Sequence, residues 1–400
     1  MLALRYVSLL AFVCIAPSAL AQTWTLQSAP TAADLNAVFA VDTQTAYVGS
    51  DGGTLLTTAD GGQTWATQSF PGFDLEGIAF NGSGVGIVVT DDGVVYRTTN
   101  GAAFAPIGTG AEDLRGVAWG TETFVFAAGR EASGARSSDG GLTWTAFSTG
   151  AVERTEGVEA VGTNLLWAVG RGGEIRFSSN GGATWGAQAS GTANDLKAIQ
   201  MLSPEIGYIV GSGDTVLKTT NGGATWTNIS NGNAGGDALS FLDESTGWTA
   251  DDAGQVWHTT DGGATWQLQP TPTGVDLSGI SFVSATQGWA VGDAGTIIAF
   301  GSGTTDAEDG AAPARLRLSA AHPNPFATAT TLRYNLAESG LVTLAVYDVL
   351  GRAVAVLADG VQGAGEHEAV LVAKGLPSGV YFVRLATGSS SETRRVTLAR

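Results

Sequence analysis

The sequence predicts an all-β chain, a seven-bladed propeller followed by a small β-sandwich. Three observations carry this: a phrase repeated every 39 to 41 residues, short apolar alternations inside each repeat, and a change of composition near residue 304. The first copy of the phrase is Thr57-Thr-Ala-Asp60-Gly-Gly-Gln-Thr-Trp65. Later copies centre on Asn100, Asp139 (with Trp144), Asn180 (Trp185), Asn221 (Trp226) and Asp261 (Trp266), and the second copy is one residue shorter, ending at Phe104. A period of about 40 residues built from short strands is the mark of propeller blades.

Taken from the start, Met1 to Arg5 is a short basic stretch, Tyr6 to Ile15 an apolar one, and Ala19-Leu-Ala21 a small-x-small cleavage site. Residues 1–21 therefore read as a secretory signal peptide. The chain's single cysteine, Cys14, falls inside it. The mature chain is expected to lack disulfides, thiolate metal sites and thiol nucleophiles.

Each repeat then opens with an apolar alternation, as in Leu75-Glu-Gly-Ile78-Ala-Phe80 or Leu196-Lys-Ala-Ile199-Gln-Met201. A second apolar segment follows (Trp167-Ala-Val-Gly170, Tyr208-Ile-Val-Gly211), then a third after a Gly-containing turn, and a fourth that starts at the Trp. Period-two alternation bounded by Gly, Asn and Asp predicts four antiparallel strands per unit. Openings near Val38, Ile78, Val117, Val158, Ile199, Leu239 and Ile280 give seven units. The seventh loses its final turn and Trp strand after Phe300, while Gln22-Thr-Trp24-Thr-Leu-Gln matches Ala264-Thr-Trp266-Gln-Leu-Gln. The N-terminal strand is expected to complete the last blade, leaving no open edge. Residues 22–303 form the predicted propeller, and the small polar run 304–314 reads as a flexible linker. Residues 315–400 show further strands, among them Val342–Tyr347 and Val380–Leu385, spaced as in a small immunoglobulin-like sandwich.

The phrase [Ser/Thr]-x-[Asp/Asn]-Gly-Gly-x-Thr-Trp resembles the Asp-box, or bacterial neuraminidase repeat. The fuller unit is similar to that of the seven-bladed photosystem II stability and assembly factors. The resemblance covers 22 to about 303 and implies a binding platform. The C-terminal motifs Pro323-Asn324-Pro325-Phe326, Tyr347-Asp-Val-Leu-Gly351-Arg, Gly365-Glu-His and Leu376-Pro-Ser-Gly379-Val-Tyr381, with the basic end Arg394–Arg400, resemble the type A sorting domain of type IX secretion cargo. That resemblance implies export through the periplasm and across the outer membrane of a Bacteroidetes-like cell, handling by the type IX machinery, and a secreted or surface-held product.

Charge narrows the partners. Between residues 22 and 305 there are 28 Asp and Glu against 9 Lys and Arg, a net −19, whereas 311–400 has 9 basic against 6 acidic residues. A propeller this acidic is not expected to bind nucleic acid or an anionic membrane. No later stretch is apolar for long enough to span a bilayer.

Six boxes in one register point to a scaffold role, since an active site is normally built once. The Asp or Asn accepts turn amides, the glycines supply positive φ, and the Trp is a plate to bury. The shorter second turn is expected to be looser. Two other registers carry charge. Three residues before each Asp/Asn stand Thr57, Arg97, Arg136, Phe177, Lys218 and His258, and at the start of the inner strands stand Asn36, Glu76, Arg115, Glu156, Lys197 and Ser278. Arg97, Arg115, Arg136, Glu156, Lys197 and Lys218 are thus the candidate ligand-binding residues, as an anion-recognising stripe or a polar rim. The competing reading pairs them with acids on adjacent blades, and it is preferred for the first register.

The competing function is a carbohydrate-active enzyme, a glycosidase of sialidase or xyloglucanase type. The propeller's seven arginines crowd into the second to fourth units instead of converging, and the acid pairs Asp91-Asp92, Asp243-Glu244 and Asp251-Asp252 fall at turns. His258, His322 and His367 share no ligand spacing. The expectation is a monomeric, non-enzymatic binding or scaffold module without cofactor or metal, whose partner is a protein or glycan at the cell surface.

Overall fold

The computed structural model describes residues 22–70, 72–130, 132–230, 234–301, 317–318, 326, 328–336, 340–347, 352–363, 365–377, 379–387 and 391–398. The predicted leader, the linker 304–314, and Pro323, Asn324, Pro325, Gly351 and His322 lie outside them. The chain falls into two compact units that divide between Thr304 and Thr305.

The described residues of the first unit form seven four-stranded antiparallel sheets. In blade 1 the strands run from axis to rim as Leu35–Ala40, Ala46–Ser50, Thr54–Thr58 and Ala66–Ser69. The inner strands of the other blades are Leu75–Phe80, Leu114–Trp119, Thr155–Val161, Leu196–Met201, Ala238–Phe241 and Leu277–Ser284. Each packs against the next and the last against the first, which closes the ring.

Burial explains the wording of each repeat. The second strand is covered by a neighbouring blade on both faces, so Ala46–Ser50, Gly86–Thr90, Val125–Gly129 and Gly207–Gly211 are buried throughout and read as unbroken apolar runs. The outer strand lies at the rim, and its residues (Ala-Thr-Gln-Ser in blade 1) are mostly exposed. The glycine that ends the second strand is steric: a Cβ on Gly170 would lie 2.1 Å from the Arg154 carbonyl oxygen. Blades 1 and 2 hold Ser50 and Thr90 at this place, so the constraint belongs to the blades that have glycine there.

Blade 7 takes Leu277–Ser284, Gln287–Gly292 and Thr296–Gly301 from one end of the propeller sequence and Thr23–Gln27 from the other. Trp24 pairs with Phe300 and Gln27 with Ile297. Trp24 is buried against Phe282, edge on at 5.7 Å, and its Nε1–H donates to Gln269 Oε1 of blade 6 at 2.8 Å. Burying a side chain of this size contributes roughly 1.5–3 kcal/mol.

In the second unit, Arg317–Leu318, Ala329–Leu336 and Gly365–Val372 form one sheet, and Ala353–Gln362, Gly340–Tyr347, Gly379–Thr387 and Ser391–Leu398 another. Their facing side chains make a single core of Leu332, Tyr334, Leu344, Val383, Leu385 and Val396 with others. Phe326 and Tyr381 of the sorting motifs are part of it, as are Val396 and Leu398 of the basic end. Phe326 is 2 % exposed and bridges Leu398, and Tyr381 is buried with its hydroxyl donating to the Pro377 carbonyl.

Candidate functional site

The six box turns are closed from within. In blade 1 the Thr58 hydroxyl donates to Asp60 Oδ1 at 2.8 Å and accepts from the Gly62 amide at 2.8 Å. Asp60 also takes the Thr64 amide at 2.9 Å and the Thr64 hydroxyl at 2.6 Å. Asp139 and Asp261 repeat the pattern, and in Asn180 and Asn221 the amide donates to the threonine hydroxyl instead. Hydrogen bonds from Thr143 hold the Asp139 carboxyl far below the usual carboxylate range, and those from Thr265 lower Asp261. For Asp60, bonds from Thr64 and Thr58 outweigh the opposing effect of burial. Carboxylates engaged in this way are fixed anions that stitch a turn. The second turn, expected to be looser, is closed as well, without the bond to a later threonine hydroxyl that the other five make. Asn100 accepts the Ala102 and Ala103 amides, both at 3.0 Å, and the Thr98 hydroxyl at 3.1 Å, so the missing residue shifts the acceptor by one amide and leaves the turn closed.

The first register of charged candidates bolts blades together. Its partners are carbonyls of the next blade's turn, where acids were expected. Arg97 Nε donates to Gly140 O at 2.6 Å, Arg136 Nη1 to Gly181 O, and Lys218 Nζ to Gly262 O at 3.1 Å. Three further junctions use other residues for the same carbonyl. Gln27 Nε2 reaches Gly61 O at 3.1 Å, the Tyr47 hydroxyl Gly101 O at 3.1 Å, and Gln188 Nε2 Gly222 O at 3.0 Å. Gln27 and Gln188 also accept from the Trp65 and Trp226 indoles of that next blade. All six first-glycine carbonyls are satisfied across a junction, as a half-buried acceptor requires. The glutamines could have been found in the sequence from their place three residues after a Trp. His258, in the same register, stacks on Trp248 at 4.5 Å and faces blade 7, which has no box turn.

The second register surrounds one mouth of the propeller axis, and a backbone irregularity builds it. The pairing of inner and second strands slips by one residue between Leu35 and Ala37, and equally around Glu76, Arg115, Glu156, Lys197 and Ser278. Such a bulge re-aims the extra residue. Six blades use it to present Asn36, Glu76, Arg115, Glu156, Lys197 and Ser278 at the same level. Blade 6 supplies Asp237, which the sequence reading missed because Gly236 stands where the other blades have Leu or Thr and conceals the alignment.

Ion pairs run along part of this ring. Arg115 pairs with Glu76 of blade 2 and, at 2.9 Å, with Asp113. Glu156 pairs with Arg154 at 3.3 Å and Arg171 at 3.0 Å, and Lys197 approaches Asp237 of blade 6 at 3.5 Å. Burial raises Glu76 above its ordinary range, with Arg115 opposing. The ring's two cations are therefore neutralised, which removes the basis for an anion-recognising stripe.

From blade 5 round to blade 1 carboxylates dominate the mouth. A cleft of about 330 Å³ between blades 5 and 6 is lined by Lys197, Asp214, Asp237, Asp251, Asp252 and Gln255 among others. Asp237 is raised by burial, against the pull of Lys197, and Asp251 by burial and by Asp252, Asp214 and Asp237. Asp293 is raised by burial and then by Asp34, Asp276, Asp252 and Asp51. Several of these acids cap turns of the preceding blade: Asp34 accepts the Ala294 amide, Asp74 that of Gly52, Asp195 that of Gly172 and Asp276 that of Ala253, at 2.8 to 2.9 Å. The acid pairs considered for glycoside cleavage are likewise engaged in turns. Asp91 accepts the Asp74 amide, Asp92 the Thr90 hydroxyl, Asp243 the Ser245 and Thr246 amides, and Asp251 the Asp252 amide. Among the described residues no group of three or more His, Cys, Asp or Glu is placed to hold a metal ion, and no helix is long and apolar enough to cross a membrane.

Residues 320–399 match the family model of the secretion system C-terminal sorting domain. Among solved structures, the propeller is similar to YCF48 bound to a D1 peptide, at 20 % identity and a TM-score of 0.58, over 71 % of this chain and 97 % of that one. YCF48 from Cyanidioschyzon merolae gives 19 % identity and 0.56, over 70 % and 98 %. The WD40 propeller domain of Doa1 gives 9 % and 0.60, over 72 % and 100 %. At these identities the likeness is one of fold. No curated protein sequence matches the chain. The C-terminal unit is a type IX sorting domain, and the protein is exported to the cell surface or secreted.

Proposed function

We propose that the protein is a non-enzymatic binding module, delivered by the type IX machinery, that uses the acidic mouth of its propeller to hold a basic segment of a surface or extracellular protein. The carrying observation is the bulge repeated in six blades, which aims one side chain per blade at a common ring. Six repeats of a strand irregularity serve presentation, because turn closure and blade junctions already have their own separate devices. The partner's charge follows from the arc between blades 5 and 1, where Asp214, Asp237, Asp251, Asp252 and Asp293 face a single ring cation, Lys197. A cleft in which burial and then neighbouring carboxylates raise Asp237 and Asp251 favours a ligand that brings positive charge.

The test is binding of lysine- and arginine-rich peptides to the purified full chain. Affinity should fall at least tenfold when Asp237, Asp251 and Asp252 are together changed to Asn, and fall again as salt is raised from about 50 to 500 mM. Equal binding by the triple variant would sink the mouth as the site. The same preparation should leave sialosides, xyloglucan and other β-glucans uncleaved. Turnover abolished by neutralising Asp91-Asp92 or Asp251-Asp252 would replace the binding reading with a glycosidase.

A further inference from the structure

Below the mouth, a second inner-strand register crosses from blade to blade. Gln200 of blade 5 accepts the Phe241 amide at 2.7 Å and donates to the Phe241 carbonyl at 3.0 Å, so it grips both polar groups of one residue in blade 6. Ser240 accepts the Phe282 amide at 3.0 Å, and Ser281 the Ala40 amide at 3.1 Å. These bonds satisfy inner-strand groups that no fifth strand can reach. Blades 1 to 3 have Phe39, Ala79 and Ala118 at this position. Blade 4 has Glu159, whose Oε1 accepts its neighbour's amide, Ala160, at 2.8 Å and whose Oε2 accepts the Met201 amide of blade 5 at 3.4 Å.

We propose that Glu159 is a protonation-dependent clasp between blades 4 and 5. In its neutral form Oε2 accepts from the Met201 amide, and the O–H, on the Oε1 that takes the Ala160 amide in the structure, turns to the Met201 carbonyl, a grip like that of Gln200 on Phe241. Losing that proton to water leaves two acceptors facing the carbonyl, and the junction relaxes.

Glu159 is half-buried, and desolvation there brings its carboxyl up to about 7, with the Ala160 and Met201 amides opposing. The strands packed against it carry few charges. Arg115 on the inner strand of blade 3, Glu156 on its own strand and Lys197 on that of blade 5 each lie three residues nearer the mouth, in the ion pairs described above. The second strands of blades 3 and 4, Val125–Gly129 and Leu165–Gly170, carry none. A carboxyl raised on folding adds stability below its unfolded value. That contribution is lost as pH rises through about 7.

The experiment compares the full chain with its Glu159→Gln variant. The variant should melt close to the parent at pH 5 and several degrees above it at pH 8. Hydrogen exchange at the Met201 amide, corrected for the intrinsic rate, should quicken about tenfold in the parent between those pH values and hold steady in the variant. A melting difference that is the same at both pH values overturns the clasp. Should the variant not fold, a ¹³C titration of the parent's Glu159 carboxyl decides: ionisation in the ordinary carboxylate range overturns the proposal, and ionisation near neutrality supports it.

Discussion

At the scale of single residues, repetition turns each blade into a control for the others. The middle residue of the turn between second and third strands is left-handed, at φ 66° in Gly52 and 63° in Gly172. Blades 6 and 7 place Ala253 and Ala294 there, at 56° and 54°. A side chain in this region costs roughly 1 kcal/mol, offset in part by the freedom glycine has when unfolded. Ala253→Gly and Ala294→Gly should each raise the melting temperature by about 1–2 °C, measured by calorimetry. Arg97→Met or Lys218→Met should have the opposite effect, destabilising by about 1–3 kcal/mol in chemical unfolding because a carbonyl at a blade junction loses its donor. Neither change should alter binding of basic peptides. These partners were illegible in the sequence because the acceptor is a backbone carbonyl some 40 residues away, and backbone atoms carry no sequence signal.

At the scale of elements, the box turn is legible because its chemistry is local: hydroxyl, Asx side chain and two glycines lie within a few residues. Exchange between Asp and Asn is tolerated by design, since either side chain presents an acceptor to the same amides and differs only in the direction of the bond to threonine. Asn180→Asp should therefore stay within about 0.5 kcal/mol of the parent, whereas Asn180→Ala, which loses the Thr184 and Ser178 contacts, should cost about 1–2 kcal/mol in denaturant titrations. The inner-strand bulge was less legible. Alternation fixes which residues face the core, but a one-residue slip against the neighbouring strand leaves that pattern intact. Of the ring residues, Asp237 is the one the sequence hid, where blade 6 breaks the Leu-x-Gly/Ala spelling.

For the whole molecule, blade number and ring closure follow from counting units and locating the displaced Trp strand. What counting could not supply is the sign of the mouth, which depends on acids from loops of four blades meeting in space. Removing residues 22–30 should lower the melting temperature by roughly 10 °C, because the seventh blade loses Trp24 and its outer edge. A chain lacking residues 315–400 should fold its propeller and accumulate in the periplasm of a type IX-competent host, as fractionation would reveal. A truncated chain that still reached the surface would mean that the propeller carries an export signal of its own.

Closure through Thr23–Gln27 also sets a schedule. Thr23–Gln27 is made long before its partner around Phe300, among the last propeller residues to be made, and meanwhile it must wait unpaired. Joining ends this far apart is a late, slow event, because the entropy of the intervening chain is lost before the contact repays it. Throughout that interval two strand edges stay open to any passing chain. Moving Thr23–Gln27 to follow Gly301 would make blade 7 a local hairpin like its six neighbours, and the waiting time would disappear.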